Sequence, residues 1–316
     1  MRAFGWFVAT LLAAGLIGAA LAYPAFEAAS HLGPWPFHRV AGRVAMLILA
    51  LELVWLFRAL RIRSKRDFGY GLPRPRFLKV SLLWGVLGAV TAAAGAAFLL
   101  AAHLRGATDP PVIASAASVS RLLLMGLGSG ISVALIEETV FRGAMHTAIE
   151  RESGPLTAVL LTAPLFAVTH FFAKASIPPD QLHWSSGFDL LARSFAPLGH
   201  PALVIDSLLA WLAVGLILSL TRVLTGNIAA AIGLHAGWVC VLRILQESTG
   251  RGAAAPGSPW VGRFDGLLGY WLLPWAAAIG LALWLTRSVW VPYAAGTFGT
   301  IGANRSSRST GSSISR

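Results

Sequence analysis

Eight stretches of this chain, at 3–23, 40–60, 78–103, 119–150, 155–173, 203–224, 227–246 and 267–291, are apolar over lengths that fit a membrane crossing. A helix needs about 20 apolar residues to span the hydrocarbon, and 119–150 is over-long for one straight crossing. Composition agrees: 56% of residues are hydrophobic and 12% charged, against about 25% charged in ordinary soluble domains. The chain therefore reads as an all-α, polytopic membrane protein of about eight transmembrane helices. Residues 1–295 form a single transmembrane domain without an obvious soluble insertion or repeat. Residues 296–316, rich in Ser, Gly and Arg, read as a disordered cytoplasmic tail. The first stretch, with Arg2 before an apolar run ending "ALAYP", has the outline of a signal peptide. Its run is longer than a usual signal core, which favours an uncleaved helix.

A formal net charge of +12 would suit a nucleic-acid binder if it were spread evenly. Instead Arg58, Arg61, Arg63, Lys65, Arg66, Arg74, Arg76 and Lys79 crowd between the second and third spans. Such a loop marks the cytoplasmic side; its contact with anionic lipid is the second reading. Counting spans from there puts both termini in the cytoplasm, in agreement with Arg2, Arg305, Arg308 and Arg316. No eukaryotic sorting signal stands out, which favours a bacterial inner membrane. The partner this predicts is the bilayer, with no nucleic acid.

The single cysteine, Cys240, lies five residues after His235 and off its face, so it reads as packing. Ala229, Gly233 and Gly237 make a small-residue stripe suited to close helix contact. His235 stands about 200° from that stripe at 100° per residue. Residues 174–202 and 250–265 read as polar loops on the non-cytoplasmic side, the first with a short interfacial helix at "FDLLARSF".

The stretch "LIEETVFRG", residues 135–143, puts Glu137, Glu138 and Arg142 into otherwise apolar sequence. A charge at mid-membrane costs roughly 2.5–3.5 kcal/mol on insertion scales, so such groups face partners or cavities. Glu138 and Arg142, spaced i,i+4, can pair on one helix face. Glu137 is rotated about 100° from Glu138 and is left to face elsewhere, as a carboxylate able to serve as a base. The over-long helix should tilt, or break near "GLGSG". His170, in "LFAVTHFFA", and His235, in "AAIGLHAGWV", put imidazoles on two further spans. One carboxylate and two imidazoles suffice to hold a water or a divalent metal such as zinc, and water-activated hydrolysis is the natural reaction class. Among other polar residues, His146 reads as interfacial, and Glu52 as a lone acid seeking a neighbouring helix. His183, His200, Asp180 and Asp206 read as solvated in or beside an external loop, and Asn227 as a helix start. The twelve tryptophans suggest an interfacial belt.

These motifs resemble the CPBP family, the type II CAAX prenyl endopeptidases and their bacteriocin-processing relatives. Glu137-Glu138-x-x-x-Arg142 is similar to the first motif, Phe166-x-x-x-His170 to the second, and His235 to the histidine of the third, over about residues 119–246. The resemblance implies an intramembrane endopeptidase with a cavity open toward the cytoplasm, acting on a peptide or membrane-protein substrate. Glu137 would activate water, Glu138 and Arg142 would support it, and His170 and His235 would position the water or stabilise the oxyanion. If the enzyme is metal-dependent, Glu137, His170 and His235 would be the ligands; the resemblance leaves the cofactor open between a divalent metal and none. Val239 stands where prenyl endopeptidases place an Asn, and loss of one oxyanion donor can cost about 10²–10³ in rate. That departure weighs against prenyl-CAAX specificity more than against proteolysis. A proton-coupled transporter and a catalytically silent scaffold are the competing readings.

Overall fold

The computed structural model describes residues 1–108, 112–113, 115–171 and 175–288. The helices are α1 (Arg2–Ser30), α2 (Phe37–Ala59), α3 (Arg74–Ala101), α4 (Ala116–Glu138), α5 (His146–Thr169), α6 (Ser186–Phe195), α7 (Pro201–Thr225), α8 (Ala229–Ser248) and α9 (Leu272–Leu285), with a π-helical turn at Thr139–Met145 between α4 and α5. Six helices are long and apolar enough to cross a membrane, with Ala116–Thr169 counted as one of 54 residues. The fold is thus an all-α polytopic membrane fold. The long helix has two arms, and with the shorter α9 they restore the eight apolar segments read from the sequence.

Those arms meet between the stretches 119–150 and 155–173 read from the sequence, and the break offered near "GLGSG" within the first of them is absent. The glycines of "GLGSG" lie in regular α4, where their missing side chains admit a neighbour. A Cβ on Gly130 would lie 2.4 Å from the Ala236 carbonyl oxygen, and one on Gly126 would lie 2.9 Å from that of Cys240. The chain turns instead at Gly154, with φ 84° and ψ 168°. Only glycine adopts that conformation without strain, and the Pro155 that follows cannot donate back into the preceding helix.

Helix α8 is the axis of the bundle, between α3 and α4. A Cβ on Gly233 would fall 2.1 Å from the Ser81 carbonyl oxygen, and one on Gly237 would fall 2.3 Å from that of Gly85. The small-residue stripe therefore faces α3. Gly226 ends α7 with φ 67°, and the Asn227 side chain accepts a hydrogen bond from the Ala229 N–H at 2.9 Å, which starts α8. A two-stranded antiparallel pair, β1 (Arg105–Ala107) with β2 (Thr249–Arg251), ties the far ends of α3 and α8 together. Helix α6 is the "FDLLARSF" helix, docked on α1 so closely that a Cβ on Gly187 would clash with the Ala19 carbonyl.

Two expectations are corrected. Asp206 is not solvated: it is buried, and its carboxylate accepts from the Ser207 and Arg263 backbone N–H groups at 2.8 and 3.0 Å, tying α7 to the 262–271 loop. The tryptophans are not only a belt, since Trp84, Trp238 and Trp271 are buried in the core. Residues 296–316 lie outside the described residues.

Candidate active site

The site is assembled from α4, the π turn, α5, α7 and α8. A π turn holds about one residue more than an α turn and recurs at functional positions. Here it begins at Thr139, whose hydroxyl donates to the Leu135 carbonyl and lies 2.6 Å from the Tyr70 hydroxyl. Inside it the Arg142 carbonyl accepts from Arg222 Nε, on α7, at 3.2 Å. A Cβ on Gly143 would lie 2.6 Å from the Phe68 carbonyl oxygen, so the loop after α2 presses directly on the turn.

Glu138 and Arg142 are fully buried, and Arg142 Nη1 donates to Glu138 Oε1 at 3.1 Å. Arg142 Nη2 donates to the Gly215 carbonyl at 3.0 Å, and its guanidinium lies 4.2 Å from the Phe166 ring centre. Removing two charges from water is costly unless further bonds satisfy them. The Gly215 carbonyl and the Phe166 π face supply those contacts to the cation.

The same Glu138 Oε1 lies 2.8 Å from His235 Nδ1. A carboxylate already holding an arginine only accepts, so Nδ1 carries its hydrogen and donates. His170 Nδ1 lies 2.8 Å from the Phe166 carbonyl oxygen, another obligate acceptor, so it too carries its hydrogen. Both Nε2 atoms are thereby turned toward Glu137. Its Oε2 is 3.9 Å from His170 Nε2 and 4.0 Å from His235 Nε2, and is buried without a hydrogen-bond partner. The Glu137 side chain is 27% exposed, against 0% for Glu138. Successive carboxylates thus have different surroundings: one locked between Arg142 and His235, one facing a gap between two imidazoles.

Sequence reasoning missed several members of this constellation. Trp211, on α7, stacks on the His170 ring at 3.7 Å and 22°. Phe166 contacts Arg142, His170 and His235, so the Phe of F-x-x-x-H packs the site as well as spacing it. Arg222 was legible in principle, as an arginine inside an apolar span. His146 is fully buried within the bundle, with Nε2 4.0 Å from Glu150 Oε2. Glu52 Oε2 is buried without a partner, and nothing in the structure explains it.

Beside His235 an apolar cavity is walled by Trp211, Trp238, Trp271, Trp275 and Val239. Val239 therefore presents methyl groups where an Asn would present a donor. The donor types at Glu137, His170 and His235 suit a zinc ion. Their spacing as it stands does not, since ligands of a tetrahedral ion lie roughly 3.4 Å apart at 2.0–2.1 Å bond lengths. Among the described residues no group of three or more His, Cys, Asp or Glu side chains closes to metal-ligating geometry.

Fold and site define a polytopic helical membrane protein with a carboxylate and two imidazoles facing one another inside the bundle. Residues 119–241 match the family model described as Type II CAAX prenyl endopeptidase Rce1-like. Over this segment, which carries every motif of the site, the chain is similar to the CPBP family of intramembrane endopeptidases. No curated protein and no solved structure matches the chain.

Proposed function

We propose that the protein hydrolyses a peptide bond in a peptide or membrane-associated protein, using a water activated by Glu137. One observation carries this reading: the unpartnered, buried Glu137 Oε2 lies 3.9 and 4.0 Å from the two Nε2 atoms. Those separations are too long for direct hydrogen bonds. One water about 2.8 Å from each atom would span them at an angle of roughly 90°. Glu137 takes a proton from that water as its oxygen adds to the scissile carbonyl carbon, then delivers the proton to the departing amine. One water has two protons for three acceptors, so one acceptor must carry a proton of its own. We assign that role to His235, whose Nδ1 is held by the Glu138 carboxylate and whose Nε2 then donates to the oxyanion. His170, held by a backbone carbonyl and stacked on Trp211, aims the water.

In this reading Val239 makes the wall beyond His235 apolar and speaks against a specialised prenyl-CAAX enzyme. The basic 58–79 loop and both termini lie on the cytoplasmic side, and the membrane is a bacterial inner membrane.

The test is cleavage of a peptide library, lipidated peptides included, by detergent-purified wild type and Glu137→Gln, with and without a chelator and without any ion gradient. Wild type should cleave, and the variant should lose about 10²–10⁴-fold in rate while remaining folded. Loss in chelator as well would assign the chemistry to a metal enzyme. Absence of cleavage by folded wild type would leave a scaffold or transporter.

A further inference from the structure

The loop that presses on the π turn carries a second feature that hydrolysis does not use. Helix α2 ends in a tight turn in which Ile62 N–H donates to the Phe57 carbonyl at 2.8 Å and Arg61 N–H to that of Arg58 at 3.2 Å. Arg61 takes φ 56°, at a position where glycine is usual. The turn folds the 61–70 segment back on α2, with the rings of Phe57 and Phe68 edge to face, 5.1 Å apart. Between them opens a groove lined by Val54, Phe57, Ile62, Phe68, Arg58 and Arg63. Its floor is apolar, and both of its cations are exposed. Below it the outer face of α2 exposes Met46, Leu47, Leu51, Val54 and Trp55, an apolar stripe running into the bilayer.

The loop's charges are not balanced locally. Between positions 58 and 79 there are eight Lys and Arg residues and one acid, Asp67. Burial pushes the Asp67 carboxyl up, but the Ser64 and Arg63 N–H groups, the Ser64 hydroxyl and the Arg151 guanidinium outweigh it and hold it at about 2. That acid is therefore spent inside the loop and on α5. The Arg58 and Arg63 guanidinium groups have no hydrogen-bond or ion-pair partner among the described residues.

We propose that this groove binds one anionic phospholipid, its phosphate between Arg58 and Arg63 and an acyl chain against Phe57, Val54 and the α2 stripe. A zwitterionic lipid satisfies the apolar half but leaves the two cations against its own ammonium group. A free phosphate satisfies only the cations. The occupant that matches both halves is an anionic lipid, at the depth where α2 leaves the hydrocarbon. The Phe68 carbonyl against Gly143 and the Tyr70–Thr139 contact place the bound lipid one loop away from the π turn. The proposal stands whether or not the site cleaves peptides.

The test is native mass spectrometry of the full-length, detergent-purified protein titrated with phosphatidylglycerol or phosphatidylcholine. Three proteins are compared: wild type, R58Q/R63Q, and R74Q/K79Q, which removes the same charge from the same loop outside the groove. Wild type should retain one phosphatidylglycerol in preference to phosphatidylcholine. R58Q/R63Q should weaken it about thirtyfold, two cations at about 1 kcal/mol each, and R74Q/K79Q by less than about threefold. Equal losses in the two double variants would mean diffuse attraction to the basic loop and overturn the groove. Absence of a lipid preference, or displacement by inorganic phosphate at equal concentration, would overturn the lipid. If R58Q/R63Q does not fold, R58Q and R63Q singly carry the test, each with about a fivefold loss.

Discussion

Glu138→Gln separates the two jobs of the buried pair. The substitution keeps the side chain's size and an oxygen acceptor but removes the charge that compensates Arg142. Arg142 is fully buried, and its remaining contacts are the Gly215 carbonyl at 3.0 Å and the Phe166 ring. Breaking one partner of a buried ion pair costs about 3–5 kcal/mol, because the other charge stays uncompensated. In a protein of this size that is a fall in Tm on the order of 5–15 °C. Replacing both charges should behave differently: Glu138→Gln with Arg142→Met removes the stranded cation and should recover most of the lost stability. Activity should not recover, because His235 Nδ1 has lost the carboxylate that orients it, a loss of roughly 10²–10⁴ in kcat/KM. The assay is thermal unfolding in detergent followed by tryptophan fluorescence, with peptide cleavage measured in parallel. A single variant that melts within about 2 °C of wild type, or a double variant no more stable than the single, would refute this account of the pair.

Trp211→Ala removes the ring stacked on His170 and should lower kcat while KM changes little, whereas Trp211→Phe should keep much of the rate; steady-state kinetics on one cleaved peptide decide it. Gly233→Ala places a methyl group 2.1 Å from the Ser81 carbonyl oxygen and should cost about 1–3 kcal/mol or more in overpacking. Gly128→Ala, in the same bundle with nothing within 4 Å of its new methyl, should be neutral or stabilising; comparing the two melting temperatures separates close packing from helix propensity. Asp265, in the loop before α9, has its carboxyl raised by burial and by the neighbouring Asp206 to about 6, against 3.8 for an unperturbed aspartate. The folded state then holds that proton more tightly than the unfolded chain. Its contribution is full below about pH 4 and is lost as pH rises to about 6, roughly 3 kcal/mol in all. Asp265→Asn should flatten the decline in melting temperature across that window; an unchanged profile would exclude Asp265 as its source.

Much of the fold could be read from the chain because its solvent is hydrocarbon. A crossing must be a long apolar run, so the helices announce themselves one by one, and the stripe at Ala229, Gly233 and Gly237 announces a contact. What the stripe touches was not legible, since a small residue says only that something comes close. Whether "GLGSG" would break the over-long 119–150 stretch was not legible for the same reason. Glycine inside a helix can mark a bend or a close neighbour, and only the position of α8 decides which.

At the site, local spacing on one helix was enough to pair Glu138 with Arg142 and to set Glu137 apart. The i,i+4 rule needs no tertiary information, and charges in apolar sequence are rare enough to be conspicuous. Everything that crosses between helices came from the tertiary structure: His235 reaching Glu138, Trp211 stacking on His170, Arg222 holding the π turn, and Asp206 and His146 buried. These contacts join residues as much as 97 positions apart. No sequence period encodes such pairings, because they depend on how rigid helices cross once their small and large residues have been packed. The sequence by itself determined which residues could not tolerate lipid; the crossing of the helices decided which of them meet.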